Sequence, residues 1–200
     1  MRIRASLRKI TTSALAVGLT AAGLVVAAGS ANAEVRTLSL RYNCTFPLIG
    51  QQSVTVTVSA DLPASVPVNT LIPPITVNTS ANAGRNAATA LRLVGARTID
   101  GAATAGTRLT APGVDLNLSV PVTIPRQNVA SPLVLRASGS APAVQFPQAG
   151  TASINVGEIA LRGLHPRTSS GGDTALGVFD APCTQVAGQN TLLATVQITP

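Results

Sequence analysis

The nine residues LSLRYNCTF, at positions 38–46, alternate strictly between apolar and polar side chains. A period of two is typical of a β-strand with one buried face, because successive side chains of a strand point to opposite sides. The pattern predicts a strand that buries Leu38, Leu40, Tyr42, Cys44 and Phe46. Pro47 and Gly50 follow it and predict a turn.

Similar segments recur along the chain. Residues 54–60, VTVTVSA, alternate apolar with polar side chains, and residues 116–124 repeat the alternation. Within the latter, Pro121 predicts an edge strand or a bulge because proline lacks an N–H donor. Shorter candidate strands lie at 75–79, 133–137, 151–156 and 192–198, with turn-forming residues at 100–101, 112–113 and 170–173. Seven or more short strands at this spacing predict an all-β domain, an antiparallel two-sheet sandwich of the immunoglobulin-like kind.

One segment breaks this period. Apolar residues fall at i, i+3, i+4 and i+7 from Ala87 to Val94, with Asn86 as a candidate N-cap and Gly95 placed to end a helix. We expect one short helix near 86–94 that crosses between the two sheets. Residues 89–93 would also suit a strand, so that alternative stays open.

The first 33 residues have the pattern of an export signal. Four basic residues precede an apolar stretch, and the sequence Ala-Asn-Ala at 31–33 resembles a signal-peptidase site. We expect cleavage between Ala33 and Glu34, export by the general secretory route because no Arg-Arg pair is present, and a single extracellular domain over 34–200 without a membrane span. An uncleaved membrane anchor is the alternative for the apolar stretch.

Charge and aromatic content exclude several kinds of binding. Beyond residue 33 the chain has ten arginines, no lysine and seven acidic residues, a net charge of +3. The arginines are scattered singly, and the chain contains no Trp, one Tyr and three Phe. We expect no nucleic-acid binding, which needs a basic cluster and stacking aromatics, and no aromatic platform for sugars.

The two cysteines, Cys44 and Cys183, carry the strongest structural prediction. Two cysteines in an exported protein usually pair, so we predict a disulfide between them, with two free thiols as the alternative. Cys183 precedes the candidate last strand, and a disulfide requires neighbouring backbones. The bond therefore predicts that the first and last strands lie side by side.

Few residues offer catalytic chemistry. The single histidine, His165, lies near Ser169, Ser170 and Asp173, so a hydrolase built on the loop from His165 to Asp180 is an alternative function. No Gly-x-Ser-x-Gly, His-x-x-x-His or Cys-x-x-Cys motif occurs, and we expect no catalytic residue, no cofactor and no transition-metal site. The carboxylates of Asp173 and Asp180 leave open a paired-acid site or a calcium ion, although turn formation is their simpler role.

Several segments together resemble a protein family. They are LRYNCTFPLIG at 40–50, QSVTVTV at 52–58, ALRLVGA at 90–96 with IDG at 99–101, and a late cysteine before a closing strand. These are similar to an uncharacterised family of secreted actinobacterial proteins, with YNC at 42–44 as the sharpest element. The resemblance covers essentially the whole mature chain. It implies an extracellular β-sandwich of unknown function, with no catalytic residue to assign.

Together these observations predict a secreted or cell-surface module that is not an enzyme and that serves binding or structure. Its expected partner is a component of the cell envelope or another secreted protein. A protease-inhibitor-like module that presents the loop 163–175 is a further alternative.

Overall fold

The structure, a computed structural model, describes residues 33–200. The predicted signal peptide and its alternative as an anchor lie outside the described residues, which begin at Ala33. The elements are β1 (Ala33–Phe46), β2 (Gly50–Pro63), β3 (Ser65–Pro67), β4 (Ile75–Ala83), α1 (Gly84–Leu93), β5 (Thr98–Ala111), β6 (Val114–Asn128), β7 (Leu133–Ala141), β8 (Gly150–Arg167), β9 (Phe179–Gln185) and β10 (Leu192–Thr199). Within 33–200, no helix has the length and hydropathy needed to cross a membrane.

Eight strands form a closed antiparallel barrel. The order around the wall is β1, β2, β4, β7, β6, β5, β8 and β9, and β9 pairs back with β1. β10 pairs with the first residues of β8, and β3 pairs in parallel with β10, so these two strands lie outside the ring. A barrel of eight strands is just wide enough for side chains to fill its interior.

The prediction of a two-sheet sandwich is therefore wrong, whereas the all-β class is confirmed. Alternation identifies the buried face of each strand, and a sandwich and a barrel produce the same alternation. The strand that makes this fold a barrel is β9. It pairs with β1 at residues 42–44 and with β8 between Ile159 and Leu164, and so closes the ring. β9 is short and contains Pro182, so its sequence does not predict a strand with two partners.

The interior of the barrel is packed with the predicted apolar faces. Leu40, Tyr42, Cys44 and Phe46 of β1 are buried, Leu38 is half-buried, and Val54, Val56 and Val58 of β2 are buried beside them. On β6, Val120, Val122 and Ile124 are buried, but Leu116 is 43% exposed because it lies near the β5–β6 turn, away from the packed interior. The predicted inward faces are confirmed except at this end of β6.

Residues 84–93 form a helix, not the alternative strand, but the helix does not cross between two sheets. It buries Ala87, Ala88 and Leu91, and it lies against Phe46, Leu133 and Leu164 at one end of the barrel. Asn86 is not the N-cap; the Asn82 side chain instead accepts a hydrogen bond from Gly84 N at 3.0 Å. Gly95, with φ of 81°, ends the helix as predicted, and its N–H donates to the Arg92 carbonyl at 3.0 Å.

Two joints of the barrel wall have short ladders. β1 and β9 pair over only three residues of each strand, and β6 and β7 over only two. At each joint a glutamine side chain continues the pairing. The amide of Gln189 bonds both N and O of Arg41, at 2.7 and 2.8 Å, and the amide of Gln127 bonds both N and O of Arg136, at 3.1 Å each.

The end of the barrel opposite α1 is here called the mouth. Two loops cross it, joined by a bridge between Ile72 and Val144 and by a hydrogen bond from Asn69 N to Phe146 O at 2.8 Å. A second, smaller apolar cluster lies beneath them and includes Ile72, Leu109, Phe146 and Val196. β10 and β3 support this cluster from outside the ring.

Candidate functional site

Two of the predicted hydrolase residues, His165 and Asp173, belong to a polar network near the surface. His165 Nε2 lies 2.7 Å from Asp173 Oδ1, and the His165 side chain is mostly buried. Arg167 lies between two carboxylates, with Nε 3.3 Å from Asp100 Oδ2 and Nη1 3.9 Å from Asp173 Oδ1. Arg126 also contacts Asp100, at 3.2 Å. The network ties the loop after β8 to the barrel wall.

The serines of the predicted triad do not join this network. Ser170 Oγ lies 3.0 Å from Thr168 Oγ1, and no hydrogen bond within the described chain joins Ser169 or Ser170 to His165. Of the predicted catalytic set, the structure therefore brings together only His165 and Asp173. The hydrolase and the inhibitor-like module stay predictions.

Asp173 and Asp180 bind different partners. Asp180 accepts hydrogen bonds from Gly163 N and from Arg162 Nη1, each at 2.8 Å, and these bonds lower the pKa of its carboxyl group. Asp173 pairs with His165 instead. Among residues 33–200, no group of three His, Cys, Asp or Glu side chains is placed to hold a metal ion. The paired-acid and calcium interpretations thus gain no geometric support.

The disulfide prediction is confirmed. Cys44 of β1 and Cys183 of β9 are directly opposite in the ladder and are bonded, with Cα atoms 4.0 Å apart. The expected neighbour was the last strand, and that detail is wrong: β10 pairs with β8 and β3, and β9 holds Cys183. The bond closes the barrel wall at its joint between the first and ninth strands.

Beside the disulfide, Tyr42 is fully buried and donates a hydrogen bond from its hydroxyl to Gly157 O at 2.8 Å. Burial, and secondarily the Glu158 carboxylate, raises the pKa of Tyr42 to about 12. The folded pKa thus lies above the unfolded value of about 10. The buried neutral hydroxyl of Tyr42 therefore contributes to the free energy of unfolding. This contribution is complete below pH 10 and is lost as the pH rises from about 10 through about 12.

We expect the Tyr42 hydroxyl to titrate near pH 12 in the folded protein and near pH 10 in denaturant. Tyrosinate absorbance reports this group alone, since the chain has one tyrosine and no tryptophan. Across that pH range, the free energy of unfolding of the parent chain should fall by about 2–3 kcal/mol relative to that of Tyr42→Phe, which has no hydroxyl to titrate. A folded midpoint near 10 would contradict the buried hydrogen bond.

An apolar cavity lies at the mouth, between the barrel interior and the smaller cluster. Its volume is about 90 Å³, and it opens to solvent. This mouth cavity is lined by Val58, Ala60, Leu62, Pro63, Ile72, Ile75, Val77, Ala105, Thr107, Leu109, Leu118, Val120, Ala141, Pro142, Val144, Phe146, Ile154, Val156, Leu193 and Val196. Only Thr107 among them has a polar side chain. Apolar cavities can bind apolar molecules.

Sequence patterns do not reveal this cavity, because its lining alternates like any other buried face. One feature of the lining is informative once the structure is known, namely its small side chains. Ala60, Ala105 and Ala141 line the same space from different strands, where larger side chains would fill it. Small residues at facing positions leave a void that alternation alone cannot detect.

Comparison with known proteins gives one match. No curated protein and no solved structure matches the chain at a significant level. A model of a family of unknown function, DUF6801, matches residues 41–194, from within β1 into β10. This match covers most of the chain, which therefore belongs to that family.

Proposed function

We propose that the mature chain is an exported, non-catalytic binding module that holds a small apolar ligand in the mouth cavity. The observation that carries this proposal is the cavity, where nineteen of twenty lining side chains are apolar. Deeper in the barrel, a smaller cavity of about 20 Å³ is lined by residues that include Val56, Val122 and Leu161, and buried side chains fill the rest of the interior. Pockets that bind small molecules are typically concave, apolar and largely formed before the ligand arrives.

Export is part of this proposal. The pattern of residues 1–33 supports it, and so does the disulfide, since such bonds persist in oxidising compartments. Membership of DUF6801, a family of unknown function, is compatible with this proposal. We keep secretion and an actinobacterial source as proposals. A lipid or another apolar component of the cell envelope fits the partner that the sequence predicts.

The size of the cavity limits the expected affinity. Burying about 200 Å² of apolar ligand surface is worth about 5 kcal/mol before the costs of association. We therefore expect dissociation constants no tighter than about 0.2 mM. The cavity suits the end of an alkyl chain or a compact hydrocarbon better than a large flat molecule.

We expect Ala141→Leu to weaken binding of a fluorescent apolar dye by about tenfold or more, the equivalent of 1.4 kcal/mol. Ala141 lines the mouth cavity and is only partly buried, so a larger side chain can occupy the empty space without displacing the packed core. Fluorescence titration of the full chain measures the change.

Ala102→Leu is the matched control, because Ala102 lies on β5 with its side chain exposed. It should bind the dye as the parent chain does, and both variants should unfold at similar denaturant concentrations. Equal dye binding by the parent chain and by Ala141→Leu would show that the cavity is not the binding site. No dye binding at all by the parent chain would remove the proposal.

A further inference from the structure

Two charged residues face inward near the mouth. β1 and β2 together carry four charged residues, of which two lie on the outer face of the barrel wall and two on its inner face. Arg41 and Asp61 alternate outward, beside the buried Leu40 and Ala60. Glu34 and Arg36 have the same parity as Leu40 and therefore lie on the inner face.

The ladder places this pair beside the mouth cavity. Arg36 is directly opposite Ala60 on β2, and Glu34 is opposite Leu62. Both β2 residues line the cavity. Since Cβ atoms of opposed residues in an antiparallel ladder are about 5 Å apart, the Arg36 side chain starts within one side-chain length of the cavity wall. Arg36 Nη2 lies 2.7 Å from Glu34 Oε2, and the two side chains form an ion pair.

The barrel wall is incomplete at this point. β1 is paired with β2 along its whole length, but on its other side the β9 ladder covers only residues 42–44. In the described chain, no backbone ladder joins residues 33–40 of β1 to β10, although Leu193 and Val196 of β10 line the same cavity. The ion pair thus stands at the unpaired edge of a strand that borders the cavity.

We infer that the ligand is an amphiphile with one alkyl chain and a carboxylate head, and that Arg36 binds the head while the chain enters the mouth cavity. This inference rests on the proposed function, because it adds a head group to a ligand whose apolar part fills the cavity. Arg36 has five N–H donors in a planar fork that suits a carboxylate. Its contact with Glu34 leaves several of those donors for a second carboxylate.

The pair favours an anionic head over a cationic one. The Glu34 side chain is 61% exposed, whereas Arg36 is 43% exposed. Glu34 can turn into water and be replaced by a ligand carboxylate at little cost. A cationic head would have to displace the less exposed Arg36, whose charge would then repel it at short range.

The test compares ligands that share a chain and differ in the head. Octanoate, octanol and octylammonium are titrated into the full chain by calorimetry at low ionic strength. We expect octanoate to bind about tenfold more tightly than octanol, the ratio that 1.4 kcal/mol gives, and octylammonium to bind no more tightly than octanol. Added salt should reduce the preference for octanoate, because the pair is partly exposed.

Three variants assign the preference to one residue. Arg36→Gln should bring octanoate to the affinity of octanol and leave octanol unchanged. Glu34→Gln should raise octanoate affinity severalfold, since it removes the competing carboxylate. Arg108→Gln is the matched control and should change neither ligand, because Arg108 also pairs with a carboxylate, Asp115 at 2.8 Å, but lies on the outer face beside the buried Leu109.

The outcomes separate the two claims. If octanoate and octanol bind equally and Arg36→Gln changes neither, the head-group inference is overturned while the cavity remains a binding site. A preference for octylammonium would also overturn it, in favour of Glu34 as the contact. If none of the three ligands binds, the proposed function fails, and the inference fails with it.

Discussion

Reduction of the Cys44–Cys183 disulfide is expected to lower the free energy of unfolding by up to about 5 kcal/mol. The cysteines are 139 residues apart, so the bond closes most of the described chain into one loop. In the chain-entropy model, a loop of this length restricts the unfolded state by about 5 kcal/mol. For a domain of this size, such a loss corresponds to a fall in Tm of about 10–20 °C.

The bond also acts on the folded barrel. β1 and β9 meet over only three residue pairs, and one of these is the disulfide pair itself. Without the bond, this joint keeps only its three backbone pairs and the hydrogen bonds that Arg41 forms with Val186 N and the Gln189 amide. We therefore expect reduction to expose the β1–β9 joint before the rest of the barrel unfolds.

The measurement is denaturant unfolding of the oxidised and the reduced full chain, followed by circular dichroism. This comparison keeps every side chain and changes only the cross-link. A Cys44→Ala/Cys183→Ala variant serves as the control, because adding reductant to it should have no effect. A loss below about 1 kcal/mol on reduction would contradict a role of the bond in closing the barrel.

Gly139→Ala is expected to lower the free energy of unfolding by at least about 3 kcal/mol, the upper range for overpacking of a well-packed site. Gly139 of β7 pairs with Val122 of β6, in a ladder of only two residue pairs. A Cβ at this position would lie 2.0 Å from Pro121 O and 2.9 Å from Val122 Cα. These are backbone atoms, so no side-chain rotation can relieve the clash, and the β6–β7 joint must separate.

Gly157→Ala provides the matched control for this substitution. Gly157 also lies within a strand, and a Cβ there would approach Gly106 O at 3.5 Å, an ordinary van der Waals distance. The free energy of unfolding of Gly157→Ala should differ from that of the parent chain by no more than about 0.5 kcal/mol. Urea unfolding of both variants gives the difference. Equal stability of the two variants would show that the close approach of β6 and β7 does not hold the barrel closed.

The local structure could be predicted where the side chains themselves decide it. LSLRYNCTF predicts the inward face of β1, and the disulfide follows from two cysteines in a chain whose first residues have the pattern of an export signal. Pro121 predicts an edge strand or a bulge, but β6 lies between two strands and pairs with β5 through Pro121 without a bulge; only its ladder with β7 stops beside this proline, at Val122. In each case the signal is a property of one segment: its period, its missing N–H group or its thiol.

β5 shows where the pattern is insufficient. It lies in the barrel wall between β6 and β8, yet its sequence TIDGAATAGTRLTA predicts no strand and places a turn at Asp100-Gly101. The structure has a β-bulge there instead. A Cβ at Gly101 would lie 3.1 Å from Gly163 O, and one at Gly106 would lie 3.2 Å from Glu158 O. The small residues of β5 allow the backbone of β8 to approach, which is a tertiary requirement that no local period displays.

Barrel closure and the mouth cavity are also tertiary properties. Closure depends on two partners for β9, and the cavity depends on alanines that meet only after the strands are ordered around the wall. The position of Arg36 at the cavity could not be predicted for the same reason, since it requires the register with Ala60. Sequence could therefore predict the faces of many strands, but not which space those faces enclose.

The glutamine amides at Arg41 and Arg136 give the two short joints of the wall a different mechanical character from the rest of the barrel. A backbone pair can separate only if a whole strand moves, whereas a side-chain amide can rotate away and leave the strand where it was. Each such hydrogen bond is worth only about 1 kcal/mol, and water can replace it. Rotation of either amide thus opens the backbone N–H and C=O of Arg41 or Arg136 to water, without loss of the ladders that define the fold.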